Sequence, residues 1–319
     1  MKTAYFDTIG GVSGDMTLGA FVSAGISIDE LIQALSGLQL TGFELQARHI
    51  ERNGIVAVKV DVVISEQPHY HRHLKDIEEL IDRGTLSSSV KDRAKKIFRT
   101  VAVAEAKVHN TDIEKVHFHE VGAIDSLIDI VGAAICIEKL GIQSIYSSPV
   151  KTGSGGFVKS QHGKLPIPTP ATMEILKGYP TMLTDIPFEL ATPTGAAIIR
   201  TLSGGMLASE NITVERIGYG AGGREITEVP NLLRLLIGEL APEYSAEDIV
   251  SIETNIDNMN PELYPYVIEQ LLAAGALDAY MIPILMKKGR PGIILSTLVE
   301  RARIDALLAV LFRETTTLG

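Results

Sequence analysis

Segments with two different hydrophobic periods alternate along this 319-residue chain, and this alternation limits its fold more than any other feature. Residues 43–64 alternate apolar and polar side chains around an Asn-Gly pair, which predicts a β-hairpin. Residues 90–108 repeat apolar side chains at helical spacing, and residues 125–140 are apolar almost all round, which predicts a buried helix ending at Gly141. The chain is therefore predicted to be an α+β protein.

The pattern also predicts two domains. Residues 241–247 are polar and lack periodicity, so we place the boundary there, between an α/β metal- and nucleotide-binding domain at 1–242 and a second domain at 247–319. The second domain has the order strand, helix, strand, strand, helix, which is typical of a ferredoxin-like βαββαβ unit. Its last strand should begin at residues 315–319, where the sequence ends, so we expect this domain to lack that strand.

Composition excludes several classes of partner. Apolar residues make up 45% of the chain, but no apolar run approaches the roughly 18 residues that a membrane span needs. The formal net charge of −10 disfavours duplex nucleic acid, which requires a basic face. The single cysteine, Cys136, lies in an apolar run and is expected in the core. We expect a cytoplasmic protein with no membrane anchor.

Histidines are concentrated in two short clusters. Three of the eight lie at His69, His71 and His73, and two more lie at His117 and His119. An extended first cluster would place all three imidazoles on one face, whereas a helix would bring together only His69 and His73. Neutral imidazole binds zinc, copper, iron or nickel, so a metal site is one interpretation. A solvated histidine-rich loop is the other.

Two carboxylates follow the second cluster. Asp125 and Asp129 lie four residues apart, on one face of the predicted helix. Asp125 has a simple alternative role as a helix cap. Asp129 lies between two isoleucines in a helix that should be buried, and a buried carboxylate needs a partner. We therefore include both among the candidate metal ligands.

Glycine-rich turns provide candidate phosphate sites. Gly11, Ser13 and Gly14 precede a predicted helix, and the N-terminus of such a helix favours an anion. Gly155 and Thr194 lie in similar contexts, although each of these features alone is more often just a turn. The run at residues 218–223 matches a dinucleotide fingerprint in letters, but no helix follows it. We expect a loop or a turn between strands there.

A basic turn in the second domain is predicted to face an acidic residue. Lys287, Lys288 and Arg290 join two predicted strands, while Asp257 follows the first strand of the same domain. A solvated hairpin tip is the common interpretation of such a turn. The combination also suits a metal-bound polyphosphate, since the basic side chains contact phosphate and the carboxylate holds Mg²⁺ or Mn²⁺.

Seven motifs, in order along nearly the whole chain, resemble the LarC nickel-insertion family. They are Gly11-Val12-Ser13-Gly14-Asp15-Met16, His71-Arg72-His73-Leu74, His117-Phe118-His119-Glu120-Val121-Gly122-Ala123, His162-Gly163-Lys164-Leu165-Pro166-Ile167-Pro168, Thr192-Pro193-Thr194-Gly195-Ala196-Ala197, Glu253-Thr254-Asn255-Ile256-Asp257 and Met286-Lys287-Lys288-Gly289-Arg290-Pro291-Gly292. No single motif is specific, but the combination is. The chain departs from the family at Asn258, where a second aspartate is typical, and family members usually continue beyond Gly319.

The resemblance implies a nickel chelatase of the lyase class, a CTP-dependent cyclometallase. Such proteins insert Ni²⁺ into pyridinium-3,5-bisthiocarboxylic acid mononucleotide and make the nickel-pincer cofactor of lactate racemase, consuming CTP with Mn²⁺ or Mg²⁺. The histidine clusters would then hold nickel, the glycine-rich loops the mononucleotide phosphate, and the C-terminal domain metal-bound CTP. Forming the Ni–C bond releases a ring proton, and His119 or Glu120 is our hypothesis for the group that accepts it.

Two other functions remain open at the level of sequence. The chain could be a nickel metallochaperone or store without turnover, in which case it would not consume CTP. It could also be a metal-dependent phosphohydrolase that cleaves simple phosphoesters without nickel. Apo lactate racemase is a candidate partner. The incomplete sheet and the apolar last helix also lead us to expect a homo-oligomer.

Overall fold

The computed structural model describes residues 1–64, 73–116, 118, 124–160, 163–207, 212–240 and 249–318. The chain separates into two compact units, Met1–Pro242 and Glu243–Gly319. Both contain strands and helices, so the predicted α+β class is confirmed. In the described part of the chain, no helix is both long and apolar enough to cross a membrane.

The first unit is built on a six-stranded mixed sheet with the strand order β2-β3-β9-β10-β1-β4. Two further pairs, β5 with β8 and β6 with β7, form small separate sheets. The strands are β1 (Lys2–Asp7), β2 (Phe43–Arg52), β3 (Ile55–Ile64), β4 (Ser144–Ser147), β5 (Val150–Thr152), β6 (Phe157–Ser160), β7 (Gly163–Pro166), β8 (Thr181–Leu183), β9 (Ile212–Ala221) and β10 (Leu232–Leu240).

Strands β2 and β3 form the predicted hairpin. Asn53 and Gly54, which form its turn, both have positive φ angles, 49° and 78°. Asn-Gly adopts this left-handed conformation at little cost and matches the twist of the paired strands. The register runs from Arg52 opposite Ile55 to Phe43 opposite Ile64. The predicted hairpin is therefore confirmed, and it fixes which residues of β3 face the rest of the unit.

Seven helices of the first unit are described. They are α1 (Gly14–Ser23), α2 (Ile28–Leu35), α3 (Leu74–Arg83), α4 (Ser88–Val108), α5 (Ile124–Lys139), α6 (Pro170–Ile175) and α7 (Pro193–Leu202). Helix α5 is buried almost all round, as its composition predicts, and Cys136 is fully buried within it. Burial raises the pKa of the Cys136 thiol, which fits a packing role. Gly141 follows α5 with a φ of 66°, as expected of a C-cap glycine.

The prediction of a loop or a turn between strands at residues 218–223 was wrong for residues 218–221, which lie in β9, whereas residues 222–223 do lie between two strands. Gly218 and Gly220 lie inside β9, pressed against α1. A Cβ at Gly220 would lie 1.8 Å from the carbonyl oxygen of Met16, and one at Gly218 would lie 2.0 Å from that of Ala20. The glycines therefore allow a helix to approach a strand closely, a tertiary requirement that local sequence does not reveal.

The second unit contains a three-stranded antiparallel sheet and two α-helices. Its strands are β11 (Ile249–Ile256), β12 (Asp278–Met286) and β13 (Arg290–Glu300), in the order β11-β13-β12. Helices α8 (Tyr264–Ala273) and α9 (Ile304–Glu314) contribute Val267, Leu271 and Leu307 to a core shared with the sheet. Nothing in this arrangement conflicts with the ferredoxin-like unit, which stays a prediction. The Thr317 hydroxyl hydrogen-bonds that of Thr254 on β11.

Candidate functional site

An acidic cleft of about 360 Å³ lies in the first unit, where helices α1, α5 and α7 begin beside the middle of β3. Its walls carry five carboxylates and a single amine. These groups are Asp15, Asp61, Asp125, Asp129, Glu189 and Lys59. The predicted residues Ser13, Gly14, Asp125, Asp129 and Thr194 all line this cleft, although they come from three separate motifs.

Backbone contacts bring the starts of α1 and α7 together. Val12 N–H donates to the carbonyl oxygen of Leu190 at 2.8 Å, and Thr192 N–H donates to that of Val12 at 3.0 Å. Gly195 must lack a side chain, because its Cβ would lie 2.4 Å from the Val12 carbonyl oxygen. The Thr192 hydroxyl accepts from Gly195 N–H at 3.2 Å and caps α7, as its sequence predicts. Gly11 supports the same turn with a φ of 101°.

A buried lysine organises one wall. The Lys59 side chain is only 6% exposed, and its Nζ donates to Asp15 Oδ2 at 2.5 Å and lies 3.0 Å from Asp61 Oδ1. Lys59 Nζ also donates to the carbonyl oxygen of Val60 at 3.0 Å. Burial lowers the pKa of Lys59, but the charges and hydrogen bonds of the two aspartates outweigh it and raise the pKa overall. With all three donors engaged, Lys59 orients carboxylates and is not a base.

Asp15 is held equally firmly on its other oxygen. Its Oδ1 accepts from the Met16 N–H at 2.8 Å and from the Ser13 hydroxyl. This places a fixed negative charge at the start of α1, where the helix dipole stabilises it. Arg48 Nη1, in turn, holds Asp61 Oδ2 at 2.6 Å. Both aspartates are therefore part of the wall and have little freedom to move toward a ligand.

Asp129 differs from its neighbours. Its Oδ1 is a buried atom with no hydrogen-bond partner among the described residues. The carboxyl packs against Gly14, where a Cβ would lie 2.1 Å from Asp129 Oδ2. Burial raises the pKa of Asp129 well above its usual range, and the charges of Asp15 and Asp125 raise it further, opposed by Lys59. A bound cation would supply the missing partner.

Asp125 lies at the more open side of the cleft. The residue is exposed over part of its surface, and its Oδ1 accepts from Ser126 N–H at 2.7 Å. Partial burial of the carboxyl raises its pKa, against the hydrogen bonds of Ser126. Asp125 and Asp129 are thus the two carboxylates of α5 that face the cleft, as helical spacing predicts.

The electrostatics of the cleft favour a cation over a free anion. Five carboxylates surround one ammonium that is already paired, so a bare phosphate would meet repulsion. Oxygen donors of this kind bind divalent cations. Within the described ranges, no three His, Cys, Asp or Glu side chains are grouped so as to hold a metal ion. A cation here would therefore need further ligands, which a substrate can supply.

The histidine predictions are covered only in part. His69, His71, His117, His119 and Glu120 lie outside the described residues. His73 precedes α3, where its N–H donates to Asp76 Oδ2 at 2.8 Å. Its Nδ1 lies 3.1 Å from the carbonyl oxygen of Val116, the residue before His117 in the chain. His73, the last histidine of the first cluster, therefore lies beside Val116.

Gly155 does not belong to the acidic cleft. It has a φ of 77° with open space around it, while Gly153 and Gly156 pack against the backbone of residues 186–188. A Cβ at Gly153 would lie 1.8 Å from the carbonyl oxygen of Phe188. The glycines on either side of Gly155 therefore serve close backbone packing, and the structure does not bring Gly155 together with Ser13, Gly14 and Thr194.

One residue of the basic turn in the second unit, Arg290, lies near Asp257. Arg290 Nη1 lies 3.7 Å from Asp257 Oδ2. Lys287 and Lys288 form the adjoining turn, where Lys288 has a φ of 62°. All three basic residues are exposed, so the pair alone is worth little in stability. The arrangement presents positive charge beside one carboxylate, while the roles of these residues stay predictions.

Sequence reasoning missed Lys59, Asp61, Asp15 and Glu189 as parts of the site. The signal for the first two was a lysine and an aspartate two positions apart in an otherwise apolar strand, where they share one face. Asp15 belongs to the predicted glycine-rich turn, but its role depends on Lys59, which is 44 residues away. For Glu189 we find no local signal.

The structure is an α+β protein with a cleft lined by five carboxylates in its first unit. The family model described as nickel insertion protein matches residues 4–319. This chain therefore belongs to the nickel insertion protein family.

Relatives from Desulfitobacterium hafniense strain DCB-2 and from Acetivibrio thermocellus are among those named pyridinium-3,5-bisthiocarboxylic acid mononucleotide nickel insertion protein. The one from Desulfitobacterium hafniense is 46% identical over 325 residues, covering 100% of this chain and 80% of the relative. The one from Acetivibrio thermocellus is 44% identical over 330 residues, covering 100% of this chain and 81% of the relative. A solved structure, the apo C-terminal domain of a cyclometallase involved in synthesis of the NPN cofactor of lactate racemase, is 42% identical. It covers 22% of this chain and 49% of the solved chain, with a TM-score of 0.22.

Proposed function

We propose that this protein inserts Ni²⁺ into pyridinium-3,5-bisthiocarboxylic acid mononucleotide in a CTP-dependent reaction that makes the nickel-pincer cofactor of lactate racemase. Family membership and the names of the relatives support the nickel and the substrate. The observation that carries the proposal is the carboxyl of Asp129, whose buried Oδ1 has no partner among the described residues of an acidic cleft. We propose that Ni²⁺, the metal named in the family description, is the partner of this oxygen.

The ligand chemistry of the cleft supports transfer of nickel. Carboxylate oxygens are harder donors than thiocarboxylate sulfur, so nickel held by Asp125 and Asp129 would pass readily to the substrate. Each deprotonated thiocarboxylate forms one Ni–S bond. The ring carbon between them loses its proton as the C–H bond breaks, and the electron pair forms the Ni–C bond, so nickel stays divalent. The histidines of the two clusters remain proposed nickel ligands, and His119 or Glu120 the proposed proton acceptor.

The second unit is proposed to bind CTP with Mn²⁺ or Mg²⁺. The basic residues Lys287, Lys288 and Arg290 would contact the polyphosphate, and Asp257 would hold the divalent ion. The ion pair between Arg290 and Asp257 supports this proposal, because it holds a cationic and an anionic group side by side. A metallochaperone without turnover would have no need of such a CTP site.

A reconstitution with purified components tests the proposal. The chain is mixed with Ni²⁺, Mn²⁺, CTP and the bisthiocarboxylate mononucleotide, and the nickel-bearing product is measured by mass spectrometry. Activation of apo lactate racemase by the product provides a second readout. Product that forms only with CTP supports the cyclometallase. Nickel binding without product, under conditions in which CTP is left intact, would contradict it in favour of a nickel carrier.

A further inference from the structure

A second cavity, of about 170 Å³, lies directly beside the acidic cleft in the first unit, and we call it the ring cavity. The end of α4, the β6–β7 hairpin and the start of α6 form its walls. The cavity and the cleft share two lining residues, Glu189 and Pro193. A ligand that occupied both spaces would therefore pass the side chains of these two residues.

The walls of the ring cavity combine apolar side chains with polar ones, and the polar residues are Glu105, His109, Lys159, Ser160, Thr169 and Glu189. Val108, Val158, Leu165, Pro170 and Ala171 provide the apolar surface. Such a surface suits a flat ring, since burial of apolar area is favourable.

The charges around the ring cavity favour a positively charged ring. Glu105 and Glu189 contribute carboxylates to its lining, and the carbonyl end of α4 adds a partial negative charge. Glu105 Oε2 lies 3.3 Å from His109 Nε2, so this carboxylate is held in position at the wall. The one lysine of the lining, Lys159, is exposed and lies at the solvent side.

We infer that the ring cavity binds the pyridinium ring of the substrate, with the edge that carries both thiocarboxylates directed toward the acidic cleft. This inference rests on the proposed function. Nickel must bond to the ring carbon between the two thiocarboxylates, so the ring and the metal need adjoining sites, and the two cavities adjoin at Glu189. The ring nitrogen lies opposite that carbon, so the ribose phosphate would leave the cavity away from Glu189. The exposed Lys159 of the lining is the group that would contact the phosphate.

Filling the ring cavity tests the inference. The probe is the biscarboxylate analogue of the substrate, in which oxygen replaces sulfur. It is titrated calorimetrically into the full chain in the presence of Ni²⁺, which offsets the repulsion between its carboxylates and those of the acidic cleft. Val158→Phe places a ring in the cavity and should weaken binding of the analogue about tenfold or more. Val56→Phe, on an exposed strand position of the same unit, is the matched control and should bind like the wild type. Equal affinity in Val158→Phe and wild type would overturn the inference.

A fluorescent reporter gives a test that does not depend on filling the cavity. The chain contains no tryptophan, so a single introduced one reports its own surroundings. Val108→Trp lies at the wall of the ring cavity and should be quenched when the pyridinium analogue binds. Val103→Trp, which is on the same helix but does not line the cavity, should not be quenched. Equal quenching at both positions, or quenching at neither, would overturn the inference.

The charge preference provides a third arm. A phenyl C-nucleotide has the same shape as the analogue but an uncharged ring. Wild type should bind the pyridinium analogue more tightly than the phenyl compound, and Glu105→Gln should reduce that preference.

If the reconstitution makes product while Val158→Phe binds the analogue normally, the inference fails and the proposed function stands. If the analogue binds as expected but no product forms, the proposed function fails instead.

Discussion

Removing the charge of Lys59 should destabilise the first unit strongly. Lys59→Met keeps most of the aliphatic packing but takes away an ammonium that is only 6% exposed and that bridges Asp15 and Asp61. Breaking a buried ion pair on one side typically costs about 3–5 kcal/mol, because the partner charge is left uncompensated. Here the side chains of the two aspartates are 29% and 30% exposed, so water recovers part of this cost.

The partners that Asp15 and Asp61 keep in Lys59→Met reduce the loss of stability further. Asp61 keeps Arg48 at 2.6 Å, and Asp15 keeps the Met16 N–H at 2.8 Å. We therefore expect a loss of about 2–4 kcal/mol in the free energy of unfolding, below the value for a fully buried pair. For a domain of this size, each kcal/mol lowers the Tm by about 2–4 °C.

Urea unfolding at pH 7, followed by circular dichroism, measures this loss directly. Lys115→Met is the control, since Lys115 Nζ lies 2.8 Å from Asp112 Oδ2 but both side chains are about 70% exposed. Exposed pairs of this kind are worth about 0–1 kcal/mol. The double variant Lys59→Met with Asp15→Asn should recover part of the loss. A loss in Lys59→Met no larger than in the control would refute the view that this pair organises the cleft.

Three further changes test other parts of the structure. The pKa of the Asp129 carboxyl is raised in the folded protein, so this carboxyl keeps its proton to a higher pH than it does in the unfolded chain. Its contribution to the free energy of unfolding should therefore fall as the pH rises from about 4, and Asp129→Asn should remove this part of the pH dependence measured by urea unfolding. An unchanged pH dependence would contradict the burial of the carboxyl. Gly195→Ala should lower the free energy of unfolding by about 1–3 kcal/mol, because the new methyl group would meet the carbonyl oxygen of Val12. Gly204→Ala, whose Cβ would lie 3.6 Å from its nearest neighbour, is the control and should be nearly neutral. Equal effects of the two substitutions would refute the close approach at Gly195. Arg290→Met should weaken calorimetric binding of Mn²⁺–CTP about tenfold without changing nickel affinity; unchanged CTP affinity would remove Arg290 from the proposed site.

Local signals in the sequence were enough for most elements of the fold. Thr192 and Pro193 predict the start of α7 because a capping hydroxyl and a fixed φ act within one turn of the helix. The Asn53-Gly54 pair predicts the hairpin for a similar reason. The strand position of Gly218 could not be predicted from local signals, because its role depends on a helix almost 200 residues earlier in the chain.

The residues of the cleft also fall into those that local sequence signals indicate and those that depend on contacts between distant parts of the chain. The sequence singles out Ser13, Gly14 and Thr194 because helix starts carry recognisable residues, and Asp129 because a carboxylate in an apolar helix needs a partner. All four line the cleft, while their predicted roles in binding phosphate and metal stay predictions. Lys59 could not be predicted in the same way. A single charged residue in a strand does not reveal what it faces, and its partner Asp15 is 44 residues away.

The most direct test of nickel insertion at the acidic cleft is the product yield of Asp129→Asn in the reconstitution with Ni²⁺, Mn²⁺, CTP and the bisthiocarboxylate mononucleotide. The substitution keeps the shape of the side chain and replaces the carboxyl, whose Oδ1 has no partner in the described structure, by an amide. Asp112→Asn, 69% exposed, is the matched control. We expect the control to make product normally and Asp129→Asn, while folded, to lose at least about a hundredfold in rate. A folded Asp129→Asn that inserts nickel at the wild-type rate would contradict the assignment of nickel to this cleft.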